Sequence, residues 1–326
     1  MNQNRFQANK ENNQTLLNGK NQRMIQRPLI IKELSQNNSL ILEKKPSYGD
    51  NLEPKTMQFE PSPITIVTPQ EVTEYQSTIY DYLKHRGCIP VAQVEYMIKQ
   101  RDVSIKMRSI LIDWLIDVHI KFKLLPQTIF MTVNLIDRYL SVQEITRQHL
   151  QLVGITSLMV ICKYEEIYPP LIKDYISVCD NAYTKEQILE MESMMIKTLN
   201  FEMTVVSCYV FLEYLQLKIR MEPKEFVFAR YILENSLFDL NCLRYGNLIL
   251  VTGAIFLVNK IFKRGNWKSG CEQATGVSEV VVKQCAKDLF HTMQKAEALT
   301  LTALKRKFST LEFFEVSKYR IEKAKN

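Results

Sequence analysis

Scattered histidines, one pair of neighbouring acids and seven cysteines are the residues of this chain with the most chemical potential, and their spacing argues against catalysis. His85, His119, His149 and His291 lie far apart, and none stands at helical spacing from a second His or a Cys that would supply half a metal site. Each reads as a surface or satisfied core residue, and no metal is expected. Glu165-Glu166 is the nearest approach to a paired-carboxylate site, but adjacent helical residues point about 100° apart and cannot share one reacting atom. A pair of acids at a helix end is the simpler reading. Lys163, three residues before Glu166, reads on spacing alone as its local ion-pair partner. With no Gly-rich phosphate loop, Gly-x-Ser-x-Gly elbow or His-Glu-x-x-His, the chain is expected not to be an enzyme and to need no cofactor.

Composition excludes further classes. The net charge of +7 is spread along 326 residues, and no run of Lys and Arg alternates with aromatics as a nucleic-acid groove requires. The longest apolar stretch, Leu248 to Val258, is broken by Thr252 and falls short of the roughly 20 residues of a membrane span. Neither nucleic acid nor membrane is an expected partner. The cysteines (Cys88, Cys162, Cys179, Cys208, Cys242, Cys271, Cys285) are odd in number, form no Cys-x-x-Cys and follow no signal peptide, so they are expected to be buried thiols in a reducing compartment.

The elements that must position any site are helices. Residues 1 to 69 hold ten Asn, seven Gln and three aromatics, too little apolar area to offset the entropy of ordering a chain, so a disordered tail is expected over 1–70. From Glu71 the composition changes, and Val72, Tyr75, Ile79, Tyr82 and Leu83 recur at three and four residue spacing. Helices are predicted at about 105–122, 127–142, 147–167, 171–178 and 184–200, the second preceded by Pro126 and the third ended by Pro169-Pro170. Thr184 with Gln187 reads as a capping box for the fifth. After Phe201 five more follow, near 207–219, 223–238, 245–263, 278–295 and 297–307. No segment alternates with a period of two long enough to build a sheet, so the fold class is all-α, with domains at 71–203 and 204–326.

The first long helix carries two apolar stripes. Met107, Ile110, Leu111, Trp114 and Val118 share one broad face, and Ile112 and Ile116 form another. Such a helix is either buried on both sides or presents one stripe to a partner, and periodicity alone favours burial.

The letters of that helix also carry a resemblance. Met107-Arg-Ser-Ile-Leu-Ile-Asp-Trp-Leu115, then Asp137-Arg-Tyr-Leu-Ser141, Leu150-Gln-Leu-Val-Gly154, Lys163-Tyr-Glu-Glu166, Tyr168-Pro-Pro170, Tyr183-Thr-Lys185, Met191-Glu192 and Leu199-Asn-Phe201 follow the order and approximate spacing of a cyclin box. The chain resembles the mitotic cyclins of A/B type, densely over 71–203 and more weakly beyond, as in Leu304-Lys-Arg-Lys-Phe-Ser309. Val118-His119 and Tyr164 lean toward the B type. The resemblance implies two tandem five-helix folds and a non-enzymatic partner that switches on a cyclin-dependent protein kinase at G2/M. There the box packs on the kinase's mobile helix and activation segment.

Carried over motif by motif, Lys163 and Glu192 match the charged pair that engages the kinase, with Tyr164, Glu165 and Phe201 beside them. Met107, Ile110, Leu111 and Trp114, with Leu150 and Gln151, match a substrate-docking patch for extended peptides bearing Arg-x-Leu. That match reverses the burial expectation for part of the stripe. Asp117 stands where the family often has a Glu or Gln that helps hold the peptide's basic residue. In the tail, Lys10-Glu11-Asn12 spells a KEN signal, by which a ubiquitin ligase of mitotic exit would recognise the chain. Arg27-Pro-Leu-Ile30 is only a degenerate destruction box. A place in both nucleus and cytoplasm is expected. The rival readings, a transcription factor of the same fold and a small-molecule enzyme, would call for a zinc ribbon or basic stripe and for a convergent polar pocket, respectively.

Overall fold

The computed structural model describes residues 75–87, 92, 94–262, 272, 275–298 and 301–319, all within the unit Met57–Asn326, and its helices begin at the punctuation in the sequence. The tail expected over 1–70, including Lys10-Glu11-Asn12, lies outside the described residues, as do Cys88 and Cys271. Helix α1 (Gln76–Gly87) and a 3-10 segment (Val94–Lys99) precede the first set of five. In that set, α2 (Ile105–Phe122) is capped by Ser104, whose hydroxyl accepts from the Met107 N–H, and closes on Lys123 in the left-handed region. Pro126 opens α3 (Pro126–Val142) at the position where its missing N–H costs nothing. Next come α4 (Leu150–Glu165), α5 (Ile172–Val178) and α6 (Lys185–Thr198). The capping box at α6 is present, with Thr184 Oγ1 accepting from Gln187 N at 3.3 Å and Gln187 Oε1 from Thr184 N at 2.9 Å.

The second set is α7 (Cys208–Ile219), α8 (Pro223–Ser236), α9 (Asn247–Ile261), α10 (Glu279–Ala298) and α11 (Ala303–Lys307). No strand occurs among the described residues. Two predicted spans need correction. The helix expected over 147–167 starts as a 3-10 turn at Arg147–His149 and becomes α4 only at Leu150. The helix expected over 297–307 is instead the end of α10 and the short α11, whose first N–H groups are satisfied from another element rather than by a preceding turn.

Each set is built around one helix that is apolar on every side, the pattern of a fully buried element. In the first set this is α4, buried without interruption from Leu152 to Cys162 and packed by α2, α3, α5 and α6. In the second it is α9, packed by α7, α8 and α10. Gly154 lets α2 approach α4, because a Cβ there would lie 2.7 Å from Leu111 Cδ1. The five described cysteines are free and buried, the small hydrophobes that were expected.

Candidate functional site

The C-terminal turn of α4 and the middle of α6 bring Lys163 and Glu192 together, 29 positions apart in sequence. Lys163 Nζ donates to both carboxylate oxygens of Glu192, at 2.7 and 2.8 Å. The lysine side chain is 47% exposed and the glutamate 15%, so one end of the pair faces solvent. The local Lys163–Glu166 partnership that spacing suggests is not the one formed. Glu166 instead accepts from the Leu125 N–H at 2.8 Å and the Thr128 hydroxyl at 2.6 Å, placing its carboxylate at the N-terminus of α3. There it satisfies an N–H that no local cap serves and meets the positive end of the helix dipole. Glu165 accepts from Gln127 Nε2 at 2.7 Å. The two acids thus fasten α4 to α3 and do not converge on one point.

The segments where α4 and α6 end, on the two helices that carry the pair, expose apolar side chains. Tyr164 is half exposed, its hydroxyl 2.7 Å from Thr204 Oγ1. Phe201 is 71% exposed in the turn that follows α6, with φ of +59°. A bulky residue in the left-handed region carries a cost of about 1–2 kcal/mol, which here holds an aromatic ring in water. Ile167 and Tyr168, between the end of α4 and Pro169-Pro170, are 83% and 90% exposed. Neither is among the residues the motifs assign to the kinase contact, although an apolar pair between a helix end and two prolines is a readable sign of presented surface. Tyr164, Ile167, Tyr168 and Phe201 are far more exposed than aromatic and aliphatic side chains of a closed core.

The docking-patch residues occupy another face. Met107, Ile110 and Trp114 are half-buried, and Leu111 and Leu150 are buried, so the stripe is neither wholly core nor wholly surface. Ile112 and Ile116, on the opposite side of α2, are fully buried, as is Leu115 between the two faces. Gln151 flanks the patch from α4, its Oε1 3.4 Å from the Tyr183 hydroxyl. Asp117 continues the line of Met107, Ile110 and Trp114 along α2 and is ion-paired with Arg306 of α11.

Beneath both faces runs a polar framework to which the sequence alone assigned no role. Arg108 binds Asp137 in a bidentate pair at 2.7 and 2.6 Å, both side chains only 1% exposed, and Tyr96 adds its hydroxyl to Asp137 at 2.6 Å. The remaining guanidinium edge donates to the Leu237 carbonyl at 2.8 Å, joining the first set of helices to the end of α8. Farther along α2, Asp113 accepts from the N–H groups of Thr302 and Ala303 and so starts α11. Burial pushes its carboxyl up to about 6, with Asp117 adding to the shift. Lys307 donates to Glu234 at 2.6 and 2.8 Å, and Arg230 Nε to Glu234 at 2.8 Å. His119, buried and donating to the Leu125 carbonyl at 2.9 Å, is held down to about 4 by burial and then by the charge of Lys307. An Arg and a His among the apolar positions of α2 were the available signal, but Asp137 lies 29 positions from Arg108 and Leu237 lies 129 from it, beyond anything helical spacing reaches. Among the described residues, no group of three or more His, Cys, Asp or Glu could hold a metal, and no helix is long and apolar enough to cross a membrane.

The chain is similar to known proteins over most of its length. The N-terminal cyclin domain matches residues 78–204 and the C-terminal cyclin domain residues 206–322. Cyclin-B2-2 of Oryza sativa subsp. indica is 38% identical over 243 residues, covering 74% of this chain and 58% of that protein. G2/mitotic-specific cyclin-2 of Medicago sativa is 35% identical over 246 residues, covering 74% of each. The chain spans just under three fifths of the length of the first relatives it matches. Among solved structures, a viral cyclin from herpesvirus saimiri superposes with a TM-score of 0.59 at 17% identity, over 65% of this chain and 96% of that one, a likeness of fold.

Proposed function

This chain belongs to the cyclin family, with the mitotic B-type cyclins, and from that premise we propose that it is the regulatory subunit of a cyclin-dependent serine/threonine kinase at G2/M. It supplies binding energy, and the kinase supplies the chemistry. The observation that carries this reading is the exposure of Tyr164, Ile167, Tyr168 and Phe201 where α4 and α6 end, on the two helices that hold the solvent-facing Lys163–Glu192 pair. A partner's mobile helix that covers this surface would be held in its active position, aligning the Lys–Glu pair and metal-binding loop of the kinase. The Met107–Trp114 stripe serves as a second site, recruiting substrates and inhibitors with Arg-x-Leu. Lys10-Glu11-Asn12 marks the chain for a mitotic-exit ubiquitin ligase.

The kinase contact is tested by titrating a monomeric kinase with wild-type, Lys163→Ala and Glu192→Ala protein. As a private surface pair these residues contribute about 0 to 1 kcal/mol of stability. Truncating one member of a desolvated interfacial network commonly costs about 2 to 5 kcal/mol of binding. Each variant is therefore expected to bind roughly thirtyfold or more weakly and to activate proportionately less, with the melting temperature nearly unchanged. Wild-type binding and activation by both variants would remove these residues from the contact.

A further inference from the structure

The ion pair between Arg306 and Asp117 has a consequence for what the patch on α2 can select. Met107, Ile110, Trp114 and Asp117 fall on one line of the helix, apolar for most of its length and acidic at its C-terminal end. Resting on the docking reading above, a peptide whose leucine sits against Ile110 and Trp114 directs its arginine toward Asp117. That carboxylate is already engaged by the guanidinium of Arg306. Arg306 is fixed in place because α11 is anchored from below: Asp113, one turn before Asp117, accepts from the N–H groups of Thr302 and Ala303, and Lys307 is buried against Glu234. Arg306 itself remains 53% exposed and Asp117 28%, so the pair sits at the rim where an incoming peptide can reach it.

We propose that Arg306 is an internal competitor for the basic residue of docking peptides and thereby sets the specificity of the patch. A peptide arginine must either displace Arg306 from Asp117 or lie beside it against a like charge. Peptides are then selected mainly by their apolar residues, and a basic residue adds little. An exposed ion pair contributes at most about 1 kcal/mol, so releasing Asp117 should strengthen an arginine-bearing peptide by up to about fivefold. The effect should shrink as salt screens the rim.

The test is a polarisation titration of the full chain with two short fluorescein-labelled peptides, one carrying Arg-Ala-Leu and one with Ala in place of the arginine. In wild type the two peptides should bind within about twofold of one another. Arg306→Gln should tighten the Arg-Ala-Leu peptide about threefold to fivefold and leave the alanine peptide unchanged. Adding Asp117→Asn should abolish that gain, while Asp117→Asn alone should change wild type little. Because loosening of α11 would alter both peptides together, the alanine peptide separates a structural effect from competition. If Trp114→Ala weakens both peptides but Arg306→Gln leaves their ratio unchanged, the competitor role is wrong and the docking reading stands. If Trp114→Ala weakens neither peptide, the docking reading fails and takes this inference with it.

Discussion

Phe201 is the residue at which the proposed function and the stability of the fold pull apart most plainly. Its backbone lies in the left-handed region, which glycine adopts without strain, and its ring makes little use of the core, being 71% exposed. A residue selected for folding alone would be glycine or asparagine here. Phe201→Gly is therefore expected to leave the melting temperature unchanged or slightly raised, because lost strain offsets the added freedom of the unfolded chain. Kinase affinity should nevertheless fall about thirtyfold, as removal of an interfacial aromatic anchor commonly costs about 2 kcal/mol. Thermal melting beside the kinase titration reads both signs. A variant that melts well below wild type and binds equally well would show that the ring serves the fold.

At the scale of the element, α2 divides its surface between three tasks. Ile112, Leu115 and Ile116 face the core, Arg108 and Ser109 reach the end of α8, and Met107, Ile110 and Trp114 are left half-covered. Half-burial predicts a specific outcome for Met107→Ala with Trp114→Ala. Arg-x-Leu peptides should bind at least about thirtyfold more weakly, since a central aromatic anchor alone commonly costs about 2 kcal/mol or more. The kinase complex should still form. If the double variant unfolds or no longer holds the kinase, the stripe is core and the docking role is lost. Other helices show how far local signals reach: Thr184 and Gln187 cap α6 unaided, whereas α3 depends on Glu166 and α11 on Asp113, both supplied by other helices.

For the whole molecule, the contact between the two five-helix sets includes a group that responds to pH. His119 on α2 is buried near Lys307 of α11 and near Glu234 and Arg230 of α8, and it is held at about 4 against its ordinary 6.5. Between those values the unfolded chain binds the extra proton, so the stability that neutral His119 contributes is complete above pH 6.5 and is lost as pH falls toward 4. At pH 4.5 the loss comes to about 2 to 3 kcal/mol. Asp113, raised to about 6, acts in the opposite sense over the same window. Comparing wild type with His119→Gln cancels that contribution, since the glutamine amide can still donate to the Leu125 carbonyl. Urea unfolding at pH 7 and 4.5 should show a smaller acid loss for the variant by about 2 to 3 kcal/mol. Equal losses would mean that His119 is not buried as a neutral group.

The all-α class and the starts of helices such as α2, α3 and α6 were legible in the letters alone, because caps, prolines and apolar periodicity act within a few residues, and the family was legible from the order of its motifs. The letters also named Lys163 and Glu192, through motif order rather than through any physical link between positions 29 apart. The folded structure was needed to show which acid Lys163 binds, that Glu166 caps α3, that Arg108 is neutralised by Asp137 in the core, and that Asp117 is met by Arg306. A buried charge must find a partner, but spacing along a helix lists only the neighbours three and four residues away. The partners that matter here come from packed helices, and which helix faces which is a property of the folded whole.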